Sequence, residues 1–293
     1  MNDQINSQSM VAPLHWCLMK RPVASHRSQA AIDEQWQALN YTGQPLLARV
    51  EAQHDTLVDL LARQGVELVY LPEDDEAGLD SIYTHDPIVT VAGGVILGRM
   101  GKALRAGEPD AAAAMLAELG VPVLGRITGD GRLEGGDVCW LDERTVAVGQ
   151  GYRTNAEGIR QLRALLGERV DEVITVPLPH WTGPDDCLHL LSFISPVDTR
   201  KAVVYSRLMP VPFRQLLLER SWELIEVPDA EYDSMACNVL AVAPGRCIML
   251  AGNPVTQARL EAAGVAVTTF EGDDLCLKGG GGPTCLTRPL YRA

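Results

Sequence analysis

Long apolar runs are missing from the chain: nothing in its 293 residues approaches the roughly 20 needed to span a bilayer as a helix. The opening MNDQINSQSM lacks the basic and apolar segments of an export signal. Positive charge is also scarce, with 25 Lys and Arg against 38 Asp and Glu and a net charge of −13. A field of that sign repels phosphate backbones and anionic lipid, so neither nucleic acid nor a membrane is an expected partner. It tolerates a small cationic substrate. There is no HExxH and no paired CxxC, and His15, His26, His54, His85 and His180 form no spaced ligand set, so no metal is expected. The seven cysteines are an odd number without metal-type spacing, which fits a reduced, cytoplasmic chain better than a disulfide framework. The glycine run Gly279 to Gly282 lacks the Gly-Lys-Ser/Thr ending of a phosphate-binding loop.

What remains is an ordinary globular composition, 46% hydrophobic and 22% charged, enough for a sizeable core. It is written as a repeat. A short apolar strand, a helix, a glycine or charged stop and a second strand recur in succession. The copies are HWCLMKRP with a helix from Leu46 to Arg63 and VELVYLP; VILGRM with Asp110 to Leu119 and VPVLGRI; TVAVGQG with TNAEGIRQLRALL and VDEVITVPLP; KAVVYSR with PVPFRQLLLER and WELIEVP; and CIMLAG with NPVTQARLEAAG and VAVTTFEG. Thr154 and Glu157 have the spacing of a capping box, Asn253 before Pro254 signals a helix start, and Gly65 and Gly264 signal stops. Such units can close into a ring or lie in an open doubly wound sheet, and periodicity does not separate the two. The insertion Pro22 to Gln44 could cover a site; its plainer and favoured reading is a surface loop with a short helix.

After its second strand each copy runs through a polar loop: LDSIYTHDPIVTV, GRLEGGDVCWL, DDCLHLLSFISP, DSMACNVLAVAP and GGGGPTCLTRPL. Asp80 and Asp86, Glu134 and Asp137, His189, Asn238 and Cys285 fall at similar points in successive copies. If the copies surround an axis, these residues converge, and a carboxylate, a histidine and a cysteine together form a nucleophilic set. An isolated cysteine is usually a small buried hydrophobe, but the glycines before Cys285 let the backbone approach a ligand closely. Read singly, His189 among leucines is a hydrogen-bonded core residue and Asp137 a turn cap. Arg105 and Arg153 each follow a strand and precede a helix, matching positions from which two forked guanidinium groups could hold a carboxylate.

The segments LEGGDV, VGQGYRTNAEG, HLLSF, MACN and GGPTC resemble the dimethylarginine dimethylaminohydrolases, relatives of arginine deiminase and glycine amidinotransferase. The resemblance runs from about Leu14 to the C-terminus. It implies an α/β fold, a five-bladed α/β propeller (pentein) of ββαβ repeats with pseudo-fivefold symmetry, forming one domain over 1–293 with a flexible N-terminal extension at 1–13. It further implies that Cys285 is the nucleophile, His189 the general acid/base, and Glu134 the residue that orients His189 and helps hold the guanidinium. Asp80 and Asp86 would pair with guanidino nitrogens, and Arg105 and Arg153 would bind the substrate carboxylate. No cofactor is required. A homodimer is compatible with the sequence.

The implied reaction is hydrolysis of a substituted arginine or related guanidino compound through a covalent thiouronium, giving a ureido product such as citrulline. Amidino transfer to an acceptor amine and deimination of arginine are the alternatives, along with a binding protein that lost activity. His85 stands where the family's dimethylarginine enzymes often carry an acid, and glycine stands where an acid shortly precedes the cysteine. Leu191 replaces the Asp that arginine deiminases carry two residues after the histidine, which argues against free arginine.

Overall fold

The computed structural model describes residues 5–75, 77–184 and 187–293. Among the described residues, fifteen strands form five three-stranded sheets. In each, the first strand pairs antiparallel with the second and the second runs parallel to the third. The first blade joins β15 (Arg288–Arg292), β1 (Leu14–Lys20) and β2 (Glu67–Leu71). The second holds β3 (Ile88–Val91), β4 (Gly94–Leu97) and β5 (Val123–Arg126). The third holds β6 (Val138–Asp142), β7 (Thr145–Gln150) and β8 (Glu172–Pro177). The fourth holds β9 (Ile194–Asp198), β10 (Lys201–Val204) and β11 (Glu223–Glu226), and the fifth β12 (Leu240–Ala243), β13 (Arg246–Leu250) and β14 (Ala266–Phe270).

A parallel pair needs a long crossover, and a helix supplies it in every blade. Two short helices, α1 (Pro22–Ser25) and α2 (Gln29–Gln35), precede α3 (Leu47–Arg63) in the first crossover. The others are α4 (Glu108–Glu118), α5 (Ala156–Leu166), α6 (Val211–Glu219) and α8 (Pro254–Ala262), with the short α7 (Asp229–Tyr232) between blades. In α3 the buried positions are Val50, Gln53, His54, Leu57 and Leu61, one stripe at helical spacing. The chain then turns at Gly65, whose φ of +78° suits a residue without a Cβ. First strands such as β3 and β12 are buried along their whole length, whereas third strands such as β5 and β14 carry exposed positions. First strands therefore lie inside and third strands at the rim, and β9 packs on β12 and β15 on β3.

The ring is closed by β15, which pairs antiparallel with β1, Leu18 opposite Arg288. That pairing decides between the two architectures left open by periodicity. It also shifts the frame: the short strand after each polar loop belongs to the next blade. Two local expectations are corrected. The N-cap of α5 is Asn155, whose side chain accepts from Gly158 N–H; Thr154 instead takes the backbone N–H of Glu134 at 3.1 Å. The expected flexible extension at 1–13 is tied down over residues 5–13: Ile5 is buried, Asn6 bridges Tyr291, and Gln8 bonds the carbonyls of Glu143 and Arg169. Residues 1–4 lie outside the described residues. Among the described residues no helix is long and apolar enough to cross a membrane.

Candidate active site

Each blade hands the chain to the next through one of the polar loops, and all five loops contribute to one cavity of about 380 Å³. Asp86, Gly136, His189, Asn238 and Cys285, one from each loop, line it. Convergence on the propeller axis is thus what brings together residues some 200 positions apart (Asp86 and Cys285).

Cys285 is half-buried in this wall. Its carbonyl accepts the backbone N–H of His85 at 3.1 Å, and its Sγ accepts from Asn238 Nδ2 at 3.3 Å. The Asn238 side chain is oriented in turn by Thr284 N–H, which donates to its Oδ1 at 3.1 Å. Burial, reinforced by the negative charge of Asp86, pushes the thiol up to about 11, against the opposite pull of Asn238 and His189. Something cationic must enter before this sulfur is ionised near neutral pH.

His189 begins a short turn, 190–192, fixed at both ends. Its backbone N–H donates to Ser192 Oγ, and the next N–H, of Leu190, donates to Asp137 Oδ1 at 2.9 Å. Asp137 is therefore the buried anchor of the histidine turn. On the ring, Nε2 faces Glu134 Oε2 at 2.7 Å, while Nδ1 lies 3.6 Å from Cys187 Sγ and 4.0 Å from Asp86 Oδ1. Burial alone would favour the neutral ring, but Cys187 and the carboxylates of Asp86 and Asp137 outweigh it and raise the pKa well above the ordinary range. Glu134 goes the other way: burial would raise it, but the bond to His189 and the charge of Arg153 hold it ionised. The pair is an imidazolium on a carboxylate. Gly136 makes the packing feasible, since a Cβ there would sit 2.4 Å from His189 Nδ1.

Glu134 itself is fully buried behind His189 and forms no part of the cavity wall, where the sequence reading had it share in holding a guanidinium. Its oxygens are used by His189, by Arg153 Nη1 at 2.7 and 2.9 Å, and by Gly101 N–H at 2.8 Å. Arg105, expected to bind a substrate carboxylate, is placed beside Asp86. Its fork grips Glu108 at 2.8 and 2.9 Å, its Nη1 donates to Asp86 Oδ2 at 2.7 Å, and its Nη2 reaches Tyr83 O at 3.2 Å. It is buried as a support for Asp86, with its fork already filled. Asp86 Oδ1 takes Gly136 N–H at 3.0 Å, and Arg105 and His189 hold the carboxyl below its ordinary range despite burial. Asp80 lines the cavity but bonds Lys102 Nζ at 2.7 Å, so the cation on it belongs to the chain. Of the two readings of the insertion, its placement at the site is the one the structure favours, because Leu39, Asn40 and Thr42 form part of the wall.

Lys102, Glu108 and Cys187 were not singled out from the sequence. Glu108 three residues after Arg105 carried an i,i+3 signal; Lys102 in GKALR and the exposed Cys187 carried none. Ligand atoms of Asp86, Glu134 and His189 lie within 4.8 Å of one another, a spacing that could hold a metal ion. Glu134 and Asp86 are already spent on Arg153 and Arg105, which an ion would have to displace.

Comparison with known proteins follows the same line. Residues 22–292 match the family described as N,N dimethylarginine dimethylhydrolase, eukaryotic. The chain is 30% identical to the uncharacterized protein YkgA of Bacillus subtilis over 241 residues, 82% of this chain and 79% of that one. It is 26% identical to the N(G),N(G)-dimethylarginine dimethylaminohydrolase of Pseudomonas aeruginosa, covering 85% of this chain and 91% of that one. A structure of the P. aeruginosa enzyme, a cysteine-to-serine variant complexed with citrulline, superposes with a TM-score of 0.76 at 23% identity, over 96% of this chain and all of that one.

Proposed function

The chain belongs to the dimethylarginine dimethylaminohydrolase family, and on that premise we propose that it is a cysteine-dependent hydrolase cleaving a C–N bond of a guanidino compound. One observation carries the reading: Cys285 and His189, from loops of different blades, line one cavity, and Glu134 Oε2 fixes the His189 ring through Nε2 at 2.7 Å.

In the first half, the guanidinium enters beside Cys285, and its charge with that of His189 lowers the thiol pKa. The thiol proton leaves to solvent, and the Cys285 thiolate adds to the guanidino carbon. The C–N bond breaks, and the proton on His189 Nδ1, the nitrogen not engaged by Glu134, passes to the departing amine. A thiouronium remains on Cys285. In the second half, His189 Nδ1 takes a proton from water as the oxygen attacks the same carbon. The C–S bond breaks, and a ureido product leaves with the thiolate restored. Asn238 positions the sulfur, Glu134 and Asp137 position the imidazole, and Arg105 holds Asp86 in the wall.

Incubation with arginine, monomethylarginine and asymmetric dimethylarginine, with Cys285→Ser as blank, tests this. Citrulline from a methylated substrate, and a thiouronium adduct on Cys285 by mass spectrometry, are expected. Ornithine formed only with an added acceptor amine would make the chain an amidinotransferase instead. Wild-type-like turnover by Cys285→Ser would sink the mechanism.

A further inference from the structure

The cavity wall holds a lysine that the proposed chemistry does not use. Lys102 Nζ donates to Asp80 Oδ2 and to the carbonyl of Leu39, each at 2.7 Å. A carboxylate and a backbone carbonyl converging on one point are the acceptor pair that a ligand ammonium would need. Here the chain fills that place with an ammonium of its own. Both side chains are largely buried, 17% and 7% exposed, so the pair is only lightly screened.

The rest of the wall repeats the pattern. Among the described residues it carries the carboxylates Asp80, Asp86 and Asp233 against the cations Lys102, Arg105, Arg153 and Lys278. Lys102 occupies Asp80 and Arg105 occupies Asp86. Only Asp233 makes no ion pair among the described residues. His189 adds a further positive charge on the wall. Such a lining suits a ligand with one cationic and one anionic group. A second ligand cation would meet Lys102 and would have to displace it from a buried carboxylate, a like-charge penalty that discriminates against it.

We propose that Lys102 selects the substrate class: a guanidino carboxylate without an α-ammonium group, its guanidinium at Cys285 and its carboxylate toward Lys102 and Arg153. This rests on the guanidino-hydrolase reading and narrows it.

The probes are δ-guanidinovalerate, which is arginine without its α-amino group, and arginine, each also as its Nω-methyl derivative. The wild-type chain should form ureido product from the des-amino compounds with kcat/KM roughly tenfold or more above that for the amino acids, one decade being 1.4 kcal/mol. In Lys102→Met, Asp80 is released and the ratio should invert. Lys102→Arg, which keeps the cation, should retain the wild-type order and guards against misfolding of the Met variant. A wild-type preference for the α-amino compounds, or an unchanged ratio in Lys102→Met, overturns the proposal. Binding of the same four compounds to Cys285→Ser by calorimetry separates the two readings. The des-amino preference in binding with no turnover by wild type would leave Lys102 as the selector and remove the hydrolase. Turnover with the opposite preference would do the reverse.

Discussion

Replacing Gly136 by Ala puts the site's geometry to the sharpest test. The backbone φ there is not in the left-handed region, so the substitution carries no conformational penalty of its own. The added Cβ would stand 2.4 Å from His189 Nδ1, 2.7 Å from its Cγ and 3.0 Å from Asp86 Oδ1, where ordinary contact begins at 3.4 Å. The ring must therefore retreat by 3.4 − 2.4 = 1.0 Å, or the loop must move instead. Neither is free, because Glu134 grips the ring at 2.7 Å and Asp137 anchors the turn. Overpacking of this kind costs about 1–3 kcal/mol of stability. A displacement of about 1 Å at the proton donor should lower kcat by about 100-fold, close to 2.7 kcal/mol in the barrier. KM should change much less, since the imidazole acts on the leaving group. The assay is steady-state turnover beside a thermal unfolding curve and alkylation of Cys285. A folded variant whose thiol still alkylates but whose kcat stays within about twofold of wild type would refute the placement of His189 Nδ1 at the reacting centre.

Two further outcomes follow from other parts of the molecule. Asn238→Ala removes the donor to Cys285 Sγ and the acceptor for Thr284 N–H, so kcat should fall about tenfold and the pH dependence of iodoacetamide labelling should move upward; labelling with an unshifted profile would deny Asn238 its role. Burial lowers His26 and His54 to about 4 from an ordinary 6.5. Because these folded-state values are depressed, the unfolded chain takes up the protons first; stability is present above about pH 6.5 and is lost as pH falls toward 4, by about 3 kcal/mol per ring. Urea titrations across that range should show His54→Leu falling less steeply than wild type, and equal slopes would contradict the account.

The repeat and the five polar loops were legible in the sequence because both are periodic, and periodicity survives without coordinates. Closure was not legible in the periodicity and came only through the resemblance, since it depends on Leu18 meeting Arg288 across nearly the whole chain, a pairing that no local pattern encodes. The set Cys285, His189 and Glu134 could be named from loop position and resemblance, and Asp137 was seen but taken for a turn cap. What escaped was which charges are already spent. Asp80, Asp86, Arg105 and Arg153 look available when read as letters. In three dimensions Lys102, Arg105, Glu108 and Glu134 answer them; only the Arg105–Glu108 pair is marked by its i,i+3 spacing, and pairing between residues far apart in the chain leaves no such mark.

Strand β15 begins three residues after Cys285 and pairs with β1 at the other end of the chain. The loop that carries the nucleophile is therefore held, just beyond it, by a pairing between the two ends of the chain. With β15 undocked, Cys285 would lose the burial that holds its thiol up and should react as a common thiol. Catalytic competence is thus a report on ring closure. Because burial in the closed ring holds the Cys285 thiol up at about 11, alkylation of the ligand-free protein should slow as the ring closes, and its rate would time that closure.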